Sequence, residues 1–238
     1  MRFGWKLASS LLSCAAAASA AAGSFSIAPI RVELGGAHRT EALTIHNDGD
    51  APLTLQLHVS AWSQSGGEES YADTRDLLIT PPVLQIPAHG DQIVRAALRR
   101  DPAATQELSY RIFFDEIPGP MPKDFVGLKV ALHVSLPVFV APGAKAAPQV
   151  TWQAHWNADG TLRVDAENHG AQHLQVSDFE LNAGGATVHA PLARYVLPGS
   201  RISWTLKPPP GVAHDAPLSL HVFSDQGELR ADVALAGS

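Results

Sequence analysis

The chain has 238 residues, of which 45% are hydrophobic, so it can bury a sizeable core in one or two domains. Its 17 basic and 23 acidic residues give a net charge of −6, which argues against nucleic acid or an anionic membrane as partner. The single cysteine excludes an intramolecular disulfide framework, and 19 Gly and 18 Pro without a long amphipathic-helix repeat predict an all-β protein.

Residues 1–22 have the features of a cleavable export signal. These are the positive residues Arg2 and Lys6, an apolar stretch at 7–18 and small-residue cleavage sites at 20–22. A lipoprotein box ending at Cys14 is the weaker alternative, because the apolar run before it is short. Cleavage would leave 15 basic and 23 acidic residues, a net charge of −8. No second apolar run of about 20 residues follows, so we expect an exported protein without membrane insertion.

Short apolar strands and turn signals then alternate up to residue 117. The predicted strands are 24–34 with an interruption at Pro29, 41–47, 52–62, 77–86, 91–99 and 107–117. We expect a polar loop at 63–69. In the last strand Tyr110, Ile112 and Phe114 share one face and are expected to pack into a core. Short strands at this spacing are typical of an immunoglobulin-like sandwich.

The longest regular pattern runs from Leu128 to Val140, where every even position is Leu or Val. This period of two predicts a strand of thirteen residues, whereas strands usually have about 5 to 6. Pro137 cannot donate to a ladder, which places the strand at an edge or a bulge. Two interpretations remain open: a long core strand, or an edge strand that is offered to another protein.

A small-residue, Pro-bearing stretch at 141–148 indicates a hinge between two domains. We therefore expect a first domain at 23–141 and a second at 142–238. In the second, the predicted strands are 150–156, 162–167, 174–181, 186–190, 202–206, 218–223 and 228–234, separated by Gly-containing turns.

The sequence contains no pattern that supports catalysis. It has no nucleophile elbow, P-loop or dinucleotide glycine motif, and Asp115 and Glu116 would point to opposite faces of a strand. His169 and His173 have a spacing that metals use, but no third ligand lies nearby, so we interpret both as surface residues. We expect neither an enzyme nor a cofactor or metal.

Four stretches carry a resemblance to a known family: Ile27–Leu34 with Arg31, Ile79–Pro87, Glu107–Pro118 and Leu128–Pro142. The third is specific, since it combines an aromatic strand with a closing Glu-Ile-Pro. The chain resembles the periplasmic chaperones of the chaperone-usher pilus pathway over essentially all of the mature sequence. Residues 135–140 look more like the archaic, Csu-type branch than the P and type 1 systems.

The resemblance implies two immunoglobulin-like domains in an L shape, joined by a short hinge after Val140. It implies a periplasmic protein that binds pilin subunits by lending them a strand and delivers them to an outer-membrane usher. The side chains implied to fill the subunit groove are those of Leu128, Val130, Leu132, Val134 and Leu136. An exported two-domain binding or adhesion module is the alternative, which an adjacent usher gene would exclude. Self-capping of the free edge by a second copy is left open.

The family also implies an anchor for the carboxylate at the C-terminus of the subunit, formed by an Arg and a Lys. Arg31 matches the arginine, but Pro137 stands where the lysine belongs. We expect Arg111 to replace that lysine, because it lies on the strand predicted to pair with the long strand. Arg95 is the reserve candidate. The alternative for Arg111 is an exposed, solubilising charge on a sheet face.

Overall fold

The computed structural model describes residues 25–99, 105–120, 128, 130–190, 193–208, 211–214 and 216–235, and within them every regular element is a strand. None of the described residues forms a helix long and apolar enough to cross a membrane. The strands are β1 Phe25–Ala28, β2 Val32–Leu34, β3 Thr40–Asn47, β4 Leu53–Ser65, β5 Glu68–Asp73, β6 Leu77–Thr80, β7 Val83–Ile86, β8 Asp91–Leu98, β9 Leu108–Glu116, β10 His133–Val140, β11 Val150–Trp156, β12 Leu162–Asn168, β13 Leu174–Ala183, β14 Ala186–Ala190, β15 Arg194–Val196, β16 Arg201–Leu206, β17 Leu218–Ser224, β18 Gly227–Asp232 and β19 Ala234–Leu235.

Strands β1 to β10 form the first sandwich. One sheet has the order β1-β3-β8-β6, and the other has the order β2-β10-β9-β4-β5, with β7 also paired to β4. Most connections between successive strands change sheets, and those from β1 to β2 and from β6 to β7 are two of them. Proline lies at both crossings, at Pro29 and at Pro81-Pro82, because a residue without an N–H cannot continue a ladder.

The core of this sandwich lies between its two sheets. Tyr110, Ile112 and Phe114 of β9 are buried in it, which confirms the face predicted for them. Strand β10 contributes every second residue to the same core, through Leu136, Val138 and Val140. This alternation leaves the odd residues of β9 and β10 on the outer face of the sheet.

Strands β11 to β19 form the second sandwich. Its sheets have the orders β16-β12-β11-β19 and β14-β13-β17-β18, with β15 also paired to β13. Trp152, Phe179 and Trp204 pack against one another in its core. Two all-β sandwiches confirm the predicted fold class. Strand β10 ends at Val140 and β11 begins at Val150, and we retain a domain boundary after residue 141 as a proposal. The predicted leader lies outside the described residues.

The strands differ from the sequence-based expectation in four places. Residues 77–86 are not one strand: they form β6 and β7, which lie in different sheets. Residues 63–69 are not a loop: β4 and β5 form a hairpin there, joined by Gly66 and Gly67, which both have positive φ. Strand β5 is exposed along its whole length, so it lacks the apolar alternation that marks a half-buried strand. The short β15 was not predicted.

The fourth difference concerns the stretch 128–140, in which β10 begins at His133 and the described residues 128 and 130–132 lie outside it. Its neighbour β9 ends at Glu116, whose N–H donates to the carbonyl of Leu132 at 2.9 Å. The apolar alternation continues toward Leu128, but among the described residues none beyond Glu116 pairs with this stretch. Pairing, rather than periodicity, therefore sets where β10 begins.

Candidate functional site

Strand β10 has one paired edge and one edge that is mostly open. Strand β9 pairs with it from His133 to Val140, whereas β2 covers only Val138–Val140 on the other side. Within the described residues, 133–137 have no strand on that second side. Because Leu132 bonds toward β9, the antiparallel alternation points the main-chain groups of His133, Ser135 and Pro137 to the open edge. Pro137 thus costs the β9 ladder no hydrogen bond.

The five side chains predicted to be donated fall into three groups. Leu128 and Val130 lie before β10 and are 84% and 47% exposed. Leu132 and Val134 are half-buried, and Val134 packs against the core. Leu136 is only 4% exposed and belongs to the core of its own sandwich. Leu128, Val130 and Leu132 are therefore the freest of the five.

An aromatic cluster on the outer face holds the first residue of β10. Phe113 points outward from β9 but is only 8% exposed, because His58 and His133 stack on it with ring centroids 4.7 and 5.3 Å away. The two histidines also bond to one carboxylate: His58 Nδ1 lies 3.1 Å from Asp115 Oδ2, and His133 Nδ1 contacts Oδ1. Tyr71 meets the edge of the Phe113 ring. The start of the open edge is thus fixed in place.

Arg31 and Arg111 are brought to either side of Pro137. Val32 of β2 is in register with Val138, so Arg31 falls beside Pro137, and Pro137 is directly opposite Arg111 of β9. Directly opposite residues of adjacent strands share a face, so the three form a row across the outer face of the sheet. Arg95 lies in the other sheet, between β3 and β6, and is not part of this row.

Arg111 is half-buried and is not an exposed, solubilising charge. Its Cζ lies 4.0 Å from the centre of the Trp62 ring and 5.8 Å from that of Tyr195, which is in the second sandwich. Its Nε is buried without a hydrogen-bond partner. Among the described residues no carboxylate is within ion-pair distance of this guanidinium. A partly desolvated cation without a counter-ion favours binding of an anion.

Arg31 is better satisfied, and it bridges the two sandwiches. Its Nη2 lies 3.0 Å from Glu33 Oε1, while Nη1 donates to Gln175 Oε1 at 3.2 Å and to Asp225 Oδ2 at 3.3 Å. Its side chain is about one-third exposed, with relative accessibility 34%. A guanidinium has five N–H donors in fixed geometry, so Nε–H and the second N–H of Nη2 remain for further acceptors.

Residues 24–145 match the model of the pili and flagellar-assembly chaperone family, PapD N-terminal domain. The match spans half of the chain and includes the open edge and both arginines. The chain belongs to this family. The predicted resemblance is thereby confirmed, and the role of the family is that of a chaperone rather than of an enzyme. Comparison with curated protein sequences gives no match.

Solved chaperone structures have the same fold. The CsuC chaperone of Acinetobacter baumannii, solved with the tip adhesion subunit CsuE, matches with a TM-score of 0.68 and 19% identity over 90% of this chain and 100% of that one. The SafB chaperone of Salmonella enterica, solved with SafA pilin, gives 0.59 and 18% over 89% and 97%. The E. coli chaperone DraB gives 0.58 and 23% over 89% and 97%.

In this chaperone the cleft between the sandwiches also contains a buried histidine that sequence reasoning placed at the surface. His173 Nδ1 lies 2.6 Å from Glu107 Oε1 of the first sandwich, and Nε2 lies 3.6 Å from Asp225 Oδ2. Its ring stacks on Phe139 of β10 at 3.6 Å. Spacing along the chain gave no sign of this burial, because the partners are distant in sequence. His169, by contrast, is exposed, as predicted.

The two carboxylates control the protonation of His173. Burial disfavours the imidazolium, but hydrogen bonds and charge interactions with Asp225 and Glu107 outweigh burial and raise the pKa of His173 above 6.5. Burial likewise opposes the charge on Asp225, and the bonds from His173 and Gln175 outweigh it and lower the pKa of this carboxyl. No group of three or more His, Cys, Asp or Glu among the described residues is arranged to hold a metal ion.

Proposed function

We propose that this chain is a periplasmic chaperone that holds pilin subunits by strand donation and delivers them to an outer-membrane usher. Membership of the pili and flagellar-assembly chaperone family supports the proposal. So does the likeness of its fold to CsuC and SafB, each solved together with a subunit. The predicted leader, residues 1–22, provides the route of export to the periplasm.

The observation that carries the proposal is the open edge of β10 with exposed apolar residues directly before it. An added strand gains affinity from main-chain hydrogen bonds, and alternate side chains supply specificity. Leu128, Val130, Leu132 and Val134 follow one alternation and would enter successive pockets of a subunit groove. Burying four such side chains contributes about 6 to 12 kcal/mol before ordering costs. Leu136 is no longer included, because its side chain fills the core of the chaperone.

The anchor for the carboxylate at the C-terminus of the subunit is proposed at Arg31 and Arg111. Support comes from the row that they form with Pro137, and from the lack of a counter-ion for Arg111 among the described residues. A charge-assisted hydrogen bond to a carboxylate is about twice as strong as a neutral one. It would also relieve the cost of a desolvated guanidinium.

A charge placed in the donated stretch tests strand donation. We expect Val130→Asp to abolish recovery of a tagged pilin subunit in co-expression and pull-down, because an unpaired carboxylate would be buried in the subunit groove. The matched control is Leu78→Asp, since Leu78 is 49% exposed, close to the 47% of Val130, and lies on β6 in the other sheet. Both variants should keep the melting temperature of the wild type. Undiminished recovery with Val130→Asp would show that this stretch is not donated.

A further inference from the structure

Tyr195 of the second sandwich lies at the place where the two arginines meet. On β13 and β15, Gln175 and Tyr195 are directly opposite each other, so their side chains share a face. Arg31 bonds to Gln175, and the guanidinium of Arg111 lies 5.8 Å from the centre of the Tyr195 ring. Three hydrogen-bond donors therefore lie close together in the cleft: the guanidinium groups of Arg31 and Arg111 and the hydroxyl of Tyr195.

The ring of Tyr195 is held rigidly. Trp62 meets it edge-on at 5.5 Å, and Phe139 and His173 contact it at 5.4 and 5.5 Å. Gln64 Nε2 donates to its main-chain carbonyl at 2.9 Å. None of these contacts uses the hydroxyl. Its oxygen accepts a hydrogen bond from the Arg31 guanidinium, whereas its own proton has no acceptor among the described residues. A fixed donor without an acceptor is the arrangement expected of a preorganised binding site.

The open edge of β10 determines which group reaches this point. Strand β2 runs parallel to β10 and covers it from Val138 onward, so any strand added along 133–137 must stop next to Arg31. A parallel added strand would place its C-terminal carboxylate there, and an antiparallel one its N-terminal ammonium. Two arginines attract the first and repel the second. The occupant that fits is the carboxylate of a chain that ends beside Pro137.

We infer that the hydroxyl of Tyr195 donates a hydrogen bond to the C-terminal carboxylate of the bound pilin subunit, as the third member of an anchor with Arg31 and Arg111. This inference rests on the proposed function and extends it, because it brings the second sandwich into subunit binding. Burial raises the pKa of Tyr195, against the opposing charges of Arg31 and Arg111, so the hydroxyl stays protonated and able to donate at neutral pH. The carboxylate is thus held by both sandwiches at once.

The test compares two peptides that carry the C-terminal strand of a pilin subunit recovered with the chaperone in co-expression, one a free acid and one amidated. Their affinities are measured by calorimetry for wild type, Tyr195→Phe and Arg111→Ala. We expect Tyr195→Phe to weaken the acid about five- to tenfold and to leave the amide unchanged, since one hydrogen bond is lost. Phenylalanine keeps the ring contacts with Trp62, Phe139 and His173, so the fold is retained.

Two results would overturn the inference. If Tyr195→Phe binds both peptides as the wild type does, while Arg111→Ala loses its preference for the acid, the carboxylate anchor stands without Tyr195. If the wild type binds the acid and the amidated peptide with equal affinity, no C-terminal carboxylate is bound at this position. Neither result decides strand donation, which Val130→Asp tests independently.

Discussion

Phe113 and Phe114 are neighbours in β9 with opposite surroundings. Phe114 is fully buried between the two sheets of the first sandwich, whereas Phe113 lies on the outer face beneath His58 and His133. The strand alternation alone separates them. Phe114 stabilises the sandwich, whereas Phe113 supports His133, the first residue of the open edge.

Truncation of the inner phenylalanine should therefore be the more costly change. We expect Phe114→Ala to lower the free energy of unfolding by about 3 to 5 kcal/mol, because it leaves a large cavity in the core. Urea denaturation measures this loss. Phe113→Ala is the comparison: it removes ring contacts at the surface and should cost less. Equal losses for the two variants would contradict the assignment of the faces.

Residue types alone predicted part of the site. Arg111 was proposed because its strand was predicted to pair with the long strand, and the structure places it directly opposite Pro137. His173 and Tyr195 could not be identified in this way. Both belong to the second sandwich, and their surroundings depend on how two domains meet, which no local pattern encodes.

At the scale of elements, the apolar period of two residues and the positions of proline predicted most strands. Where each strand ends depends on the strands that pair with it. The interruption at Pro29 was predicted because proline breaks a ladder, whereas the change of sheet at Pro81 was not, although the same argument applies there. The beginning of β10 was not visible, since it depends on the point where β9 stops. Strand β5 was missed because it buries no face.

The loop 169–173 packs against the linker, which we define as residues 141–149 between β10 and β11. His169 N–H donates to Gln149 O at 2.8 Å, and Ala171 N–H donates to Ala147 O at 3.2 Å. On the other side, Glu107 N–H donates to Ala171 O at 2.9 Å. A Cβ on Gly170 would lie 2.4 Å from Ala147 O and 2.5 Å from Gln149 N, so only glycine fits between the loop and the linker.

We expect Gly170→Ala to push the linker away and to destabilise the protein by about 1 to 3 kcal/mol, as overpacking does. Denaturant unfolding gives the loss, and limited proteolysis of the linker shows its release. Gly143→Ala is the matched control within the linker, since a Cβ there meets nothing within 4 Å. Equal behaviour of the two variants would show that the close approach at Gly170 does not constrain the linker.

At the scale of the molecule, the two sandwiches share a small core of their own. Trp62 and Phe139 of the first sandwich pack with Leu197 of the second. Gln64 joins them through its side chain, which accepts from Leu197 N–H at 3.0 Å. His173, stacked on Phe139 between Glu107 and Asp225, adds a charged component to this contact.

The charged contact of His173 with Glu107 and Asp225 makes the coupling between the two sandwiches depend on pH. The pKa of His173 is raised by folding, so its contribution is complete below about 6.5, the unfolded value, and is lost as pH rises through the folded pKa. The pKa of Asp225 is lowered by folding, so its contribution is complete above 3.8, the unfolded value, and is lost as pH falls through the folded pKa. Of the other charged groups in contact, Arg31 bonds to Asp225 and stays cationic throughout.

We therefore expect the melting temperature to fall between about pH 5.5 and pH 8.5, and His173→Gln to reduce that fall. Calorimetry at both pH values measures it. His169→Gln is the control, because His169 is exposed and should leave the pH dependence of the wild type unchanged. The same fall in His173→Gln as in the wild type would mean that this histidine does not couple the sandwiches through its charge.

The stacking of Arg111 on Trp62 has an optical consequence. Trp62 is the only tryptophan of the first sandwich, and the emission of an indole depends on the electric field across its ring. The Arg111 guanidinium lies 4.0 Å from the centre of that ring, and an anion that pairs with Arg111 would oppose its field. We therefore expect the intrinsic fluorescence of Trp62 to change when an anion enters the cleft, so that binding can be followed without an added dye.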